Sequence, residues 1–335
     1  MNSSTTGRER HIDALKGAGI LLVVFGHLIE QPSAHSVLLQ ALYIGIYSFH
    51  MPLFVFLSGI FARETLKGRD YQKIAWTLFF PLVVFQFIYL GVGQLTDWYS
   101  YSPFTPYWLL WFIASLIGWR LLLPLFASPA GLAVAMLAAI FVGFDDGVGY
   151  ALSAARTIYF LPFFVLGHLY GRQLVALARR HRLAFSCLFG LSMLIVTVWW
   201  LNGLDGSALT GSHDYDSAPP FPAYPGLGRL LVLSLSMTGM LGFFALVPTR
   251  SAILAWFGER SLSTYLLHGL IVMVLVSAGM ADSIPQWLLL PALAVATMLV
   301  AAFTAMFDGP MRRLFAPPAG TFTLNNLIPD WRRPH

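Results

Sequence analysis

The sequence predicts an all-α polytopic membrane protein, a bundle of about ten transmembrane helices with both termini in the cytoplasm. Three observations carry that reading. Hydrophobic residues make up 57% of the 335-residue chain and charged residues only 10%, where soluble domains carry about 25% charged residues. So much apolar surface cannot be hidden inside a chain of this size, and much of it must face lipid. Apolar runs recur along the whole sequence, and the basic residues between them fall on one side.

The runs lie at about 12–30, 41–62, 74–92, 107–126, 130–144, 156–171, 184–202, 227–247, 262–279 and 287–307, most of them long enough to cross roughly 30 Å of hydrocarbon at 1.5 Å per residue. The 130–144 run is short for a crossing. Pro and Gly inside the runs are compatible with helix, because neighbouring helices satisfy the freed backbone groups. Residues 1–11 form a polar cytoplasmic segment, 12–307 the transmembrane domain and 308–335 a cytoplasmic tail. No cleavage signal follows the first run, which is read as retained. With the N-terminus inside, 18 of the 20 basic residues fall on the inner side and only Arg156 and Arg229 on the outer side, as the positive-inside rule requires. The longest outer connection, 202–225, is rich in Gly, Ser, Asp and Pro with interleaved aromatic residues, and is either a connector or a lid. The single cysteine, Cys187, excludes an intramolecular disulfide, and the nine histidines show no metal-ligand spacing.

The sharpest local signal is in the first run, RHIDALKGAGILLVVFGHLIE at 10–30. Lys16 and His27 are eleven residues apart, which puts them on one helix face about 16 Å apart along the axis. Ile20 and Val23 share that face, and Asp13 is placed to pair with Lys16. An imidazole at this depth needs a polar partner or a watery cavity. His50, in the second run, reaches the same depth from the opposite direction, so the two rings are expected to meet. Pro52 beside it removes one backbone hydrogen bond and exposes the Ser48 carbonyl. Ser261, Tyr265 and His268 form a polar stripe in the ninth run. Tyr107, Trp108 and Trp111 open the fourth, as an interfacial belt or a ligand wall. Arg156 and Arg229 sit at helix N-termini, where the dipole disfavours a cation, so an anionic partner is plausible. On the inner side Lys16, Arg63, Lys67, Arg69 and Lys73 could receive an anionic cofactor. From residues alone two classes stay open: an enzyme with a buried histidine base, or a proton-coupled transporter or exporter of a small polar solute.

At these same residues the chain resembles the membrane-bound acyltransferase family 3, especially its fucose 4-O-acetylase and exopolysaccharide acetyltransferase branch. The resemblance runs through HIDALKGAGILLVVFGH (11–27), FHMPLFVFLSG (49–59), YWLLWFIASL (107–116), YFLPFFVLGHLYG (159–171) and SLSTYLLH (261–268), in the family's order. The family places a basic residue, ten residues and then His. Lys16 and His27 fill those places, with Lys where most members have Arg. The resemblance implies a multi-pass protein of the bacterial inner membrane that uses cytoplasmic acetyl-CoA, or another acyl-CoA, as donor substrate with no permanently bound cofactor. It implies a glycan or lipid-linked sugar acceptor on the outer side. The expected catalytic residues are His27 as general base and His50 as an oxyanion donor. The expected acceptor-binding residues are Arg156, Arg229, Trp108, Trp111, Tyr265 and His268. Membrane lipids and a second copy of the chain are the other expected partners; nucleic acid and metal are not expected.

Overall fold

A computed structural model describes residues 3–32, 36–96, 98 and 105–317, with side chains from residue 10 onward. Every regular element among them is helical. The chain runs through α1 (Ser3–Ile29), α2 (Val37–Tyr47), α3 (His50–Ile60), α4 (Gly68–Ile74), α5 (Phe80–Thr96), α6 (Trp111–Phe126), α7 (Pro129–Phe141), α8 (Ala154–Arg180), α9 (Arg182–Leu201), α10 (Pro225–Leu246), α11 (Ala252–Glu259), α12 (Ser261–Ser277), α13 (Gln286–Ala305) and α14 (Asp308–Leu314). The protein is a multi-pass membrane protein. Among the described residues eight stretches are long and apolar enough to cross a bilayer, and α11 with α12, which meet at a 77° bend, make a ninth if taken as one span. The remaining expected run, the fifth, is the short apolar helix at 129–144, so each of the ten expected runs has a helix and the count of full crossings among the described residues is eight or nine. The first helix begins at Ser3, inside the segment expected to precede it, and α14 opens the expected tail. Residues 318–335 of that tail, with Arg332 and Arg333, lie outside the described residues.

Local chemistry explains the breaks. Residues 37–60 are one span in two pieces, because Pro52 has no N–H for the carbonyl of Ser48. The helix restarts at His50 and puts Pro52 in the first turn, where a missing donor costs little. The Ser48 hydroxyl donates to the Gly45 carbonyl at 2.7 Å. Residues 68–96 are also one span, with a wide π turn at Ala75–Phe79. Pro81 follows and cannot reach the Thr77 carbonyl, so the ladder shifts by one residue. Ser128 and Ser251 cap α7 and α11 by accepting from Gly131 N–H at 2.9 Å and Leu254 N–H at 3.2 Å.

Two glycine contacts set the core. Gly17 of α1 and Gly258 of α11 face each other so closely that a Cβ on either would strike the other helix's backbone, at the Leu254 and Asp13 carbonyls. Gly59 of α3 and Gly167 of α8 make the same reciprocal approach. In lipid, where apolar burial no longer drives association, such close backbone packing is a main source of helix adhesion. Consequently α1 is held centrally, against α11, α12, α13 and α3. By contrast α9 buries only Ser192 and Val196. Phe185, Phe189 and Met193 pack partly against the core, while Leu183, Leu188, Leu191, Leu194 and Cys187 are exposed.

Candidate active site

One face of α1 lines two cavities in succession. Lys16, Ile20 and Val23 line a cavity of about 470 Å³ toward the N-terminal end of α1, called the inner cavity after the orientation expected from the charges, and the other the outer. His27 lines an outer one of about 220 Å³. The shared face expected from the eleven-residue spacing is therefore present, with its two polar residues in different chambers.

In the outer chamber, His27 Nδ1 lies 3.2 Å from Glu30 Oε2, one turn further along α1. The Tyr47 hydroxyl lies 3.3 Å from the same nitrogen and 3.5 Å from the same carboxylate oxygen. A carboxylate only accepts, so Nδ1 carries the proton and Nε2 keeps the lone pair. Trp108 packs edge-on against the imidazole at 4.6 Å, and His268 lies 5.5 Å away. Trp108 adopts φ +36°, a region that a bulky residue avoids. The surrounding packing holds it there, over His27.

His50 lines the same chamber, as expected from its depth. Its Nδ1 donates to the Ile46 carbonyl at 2.8 Å. That bond leaves a lone pair on Nε2, so a neutral His50 offers an acceptor where an oxyanion needs a donor. The oxyanion role expected for it does not fit this geometry. His268 is fully buried and held the same way, Nδ1 to the Thr264 carbonyl at 2.9 Å, with no partner at Nε2.

Among the expected acceptor residues, Trp108, Trp111 and Arg156 line the outer chamber. The Arg156 guanidinium stands 4.8 Å over Trp111 and 5.2 Å over Tyr150. Tyr265 lines the inner cavity instead and donates its hydroxyl to the Leu109 carbonyl. Arg229 is buried and does not line the outer chamber. It donates to the carbonyls of His213 at 2.9 Å and Ala139 at 3.4 Å, and lies 4.4 Å over the Tyr215 ring. Burial pushes the Tyr215 phenol above its usual pKa, against the opposing pull of Arg229. The phenol therefore stays neutral and donates to the Ile140 carbonyl at 2.7 Å. These contacts pin the 202–225 connection onto α7, and Leu209, Thr210, Ser212 and His213 of that connection wall the outer chamber. Of the two readings of this segment, a folded cover describes it better than a loose connector. Arg229→Ala removes a charged donor from the carbonyls of His213 and Ala139 and is expected to destabilise the cover by about 1–3 kcal/mol. Hydrogen exchange checks this: amides of 202–225 should lose protection while those of α1 keep theirs.

In the inner cavity, Lys16 pairs with Asp13 at 3.2 Å and stands 4.4 Å over the Phe61 ring. The other cations lining it are Arg120 and Arg312. Arg120 has no partner at its buried Nε, and Arg312 pairs with Asp308 at 2.7 Å. Arg63, Lys67, Arg69 and Lys73 are not among the lining residues. Arg63 is exposed and pairs with Asp70 at 3.0 Å. Charge sidedness places all of these residues on one side but does not say which of them face inward. Glu30 had a signal that the sequence reading passed over: it is three residues after His27, the same spacing that related Asp13 to Lys16. Tyr47 had none, since its approach to His27 depends on how α2 folds back on α1. Among the described residues no group of His, Cys, Asp or Glu is placed to hold a metal.

Comparison with known proteins turns this geometry into a class. The family profile of an acyltransferase domain matches residues 9–306, nearly all of the chain. The chain belongs to acyltransferase family 3. The chain is 28% identical over 243 residues to the nodulation protein NolL of Sinorhizobium fredii, covering 65% of the chain and 64% of that relative. It is 25% identical over 297 residues to the nodulation protein NolL of Mesorhizobium japonicum, covering 80% of the chain and 77% of that relative. The match thus spans less than two thirds of the first relative's length. No solved structure matches the chain.

Proposed function

We propose that this acyltransferase moves an acetyl or other short acyl group from cytoplasmic acyl-CoA to a hydroxyl of a glycan or lipid-linked sugar. The acceptor would be met at the outer face of a bacterial inner membrane. The observation that carries the reading is the His27–Glu30 pair in one chamber and Lys16 in the other, on a single face of α1.

An acceptor hydroxyl attacks a thioester poorly until its proton is taken. His27 Nε2 takes that proton as the C–O bond forms. Glu30 fixes the tautomer through Nδ1–H and offsets the charge of the imidazolium, the part a carboxylate plays behind a histidine base elsewhere. The tetrahedral adduct then expels the thiolate: the C–S bond breaks, and the imidazolium returns its proton to sulfur. Lys16, Arg120 and Arg312 supply charge-assisted donors for the donor's phosphates. Their distance from His27 suits a cofactor whose charged head stays at the inner cavity while only its acyl end advances. Arg63, Lys67, Arg69 and Lys73 would act through their summed field, drawing the anionic donor to the inner face. Trp111 and Trp108 offer faces for a sugar ring, and Arg156 a contact for an acidic group on it.

Lys16→Ala tests the donor half of the reading. Losing one charge-assisted bond to phosphate is expected to raise the donor KM about tenfold or more, with a smaller change in kcat, and Lys16→Arg should restore most of it. An unchanged donor KM in the alanine variant would remove Lys16 from donor binding. Robust solute flux through sealed vesicles without acyl-CoA would overturn the enzyme reading in favour of a carrier.

A further inference from the structure

The inner and outer chambers share one lining residue among those described, Met51. Lys16 lines only the inner chamber and His27 only the outer. Around Met51 the inner wall is apolar, formed by Ile20, Val23, Phe54 and Phe112. Met51 sits on the second residue of α3, ahead of Pro52 and next to His50, so the helix restart fixes where its side chain stands. A donor held by its phosphates in the inner chamber must therefore present its acyl carbon to His27 past the Met51 thioether.

The geometry points to Met51 as the residue that sets acyl-chain length, a specificity determinant that touches the acyl group and takes no part in the proton transfers. This rests on the donor assignment made above. Two physical points support it. The inner-chamber residues Ile20, Val23, Phe54 and Phe112 are apolar, so a route past Met51 would accept a short acyl group and disfavour water and charge. An unbranched thioether fills a narrow passage without a rigid shape, which lets a small acyl group past and leaves no depth for a long one. In an apolar site one methylene changes discrimination by about 10-fold or more, so the side chain at this position should have a large effect on which acyl group is taken.

The test uses the full-length protein in lipid nanodiscs, with acetyl-CoA, butyryl-CoA, hexanoyl-CoA and CoA itself as titrants. Wild type should bind acetyl-CoA well and hexanoyl-CoA at least 10-fold more weakly. Met51→Ala should keep the binding of CoA itself, which carries no acyl group and so shows that the variant has folded, and gain at least 10-fold for hexanoyl-CoA. Met51→Phe should weaken butyryl-CoA while leaving CoA unchanged, and it provides an independent reading if the alanine variant does not insert. An acetyl-to-hexanoyl ratio that stays within about twofold of wild type in a folded variant would overturn the role of Met51 while leaving the donor site standing. Wild type that binds neither CoA nor acetyl-CoA would overturn the donor assignment itself.

Discussion

His27→Ala should abolish acyl transfer while the protein still inserts, folds and binds its donor. Removing a positioned general base costs roughly 10²–10⁴ in rate. The loss should be near the upper end, because nothing else in the outer chamber has the same preparation. His50 holds Nδ1–H against a backbone carbonyl, and His213 meets the hydroxyls of Ser212 and Tyr150. Among the histidines lining the chamber, only His27 has a carboxylate partner. The imidazolium formed during transfer is therefore matched by a negative charge at His27 and by nothing comparable at its neighbours. Donor affinity should not move, because His27 is absent from the inner cavity that holds Lys16, Arg120 and Arg312. The measurement is donor-thiol release in membranes, paired with acetyl-CoA binding to the same preparation. Turnover within about threefold of wild type would end the general-base assignment.

Gly17→Val should be the most damaging single change to the fold. The added carbons would meet the Leu254 carbonyl and the Gly258 backbone, neither of which is a flexible side chain that can swing aside. The helices must part, and overpacking of this kind typically costs about 1–3 kcal/mol and sometimes more. The cost should exceed that range here, since α1 is the helix that carries both Lys16 and His27, and Gly258 and Glu259 of α11 line the inner cavity. Tryptophan-monitored thermal unfolding of detergent-extracted protein should show a large fall in midpoint, with Gly17→Ala intermediate. A midpoint close to wild type would show that the α1–α11 contact contributes little.

The helices were legible in the sequence because lipid makes a demand that side chains answer directly, one apolar run per segment. The interruptions were partly legible. Pro52 announced a break near Ser48, yet the restart at His50 depends on how that proline settles into the new helix. The wide turn at Ala75–Phe79 could be traced to Pro81 only once the backbone was in view. At the site, the Lys16–His27 face followed from helix geometry alone, since both residues are on one rigid element. The partners did not follow so easily. Tyr47 reaches His27 across a helical hairpin, and Arg120 and Arg312 come from α6 and α14, far apart in the chain. Arg229 looked like a candidate ligand contact because it broke the charge pattern. The structure shows another reason for an outer arginine, as a buried clasp for the 202–225 connection.

The single-residue seam at Met51 also bears on bioenergetics. A bundle carrying wet pockets at both ends of one helix would short-circuit a cell's proton gradient if a continuous file of water joined them. Even a charged side chain on a helix costs about 2.5–3.5 kcal/mol at the centre of a bilayer on forgiving scales, and an apolar collar would preserve a barrier of that kind. The same plug that meters the cargo would then serve as the electrical insulator, so widening it should make resting vesicles leak protons as well as broaden the choice of acyl chain.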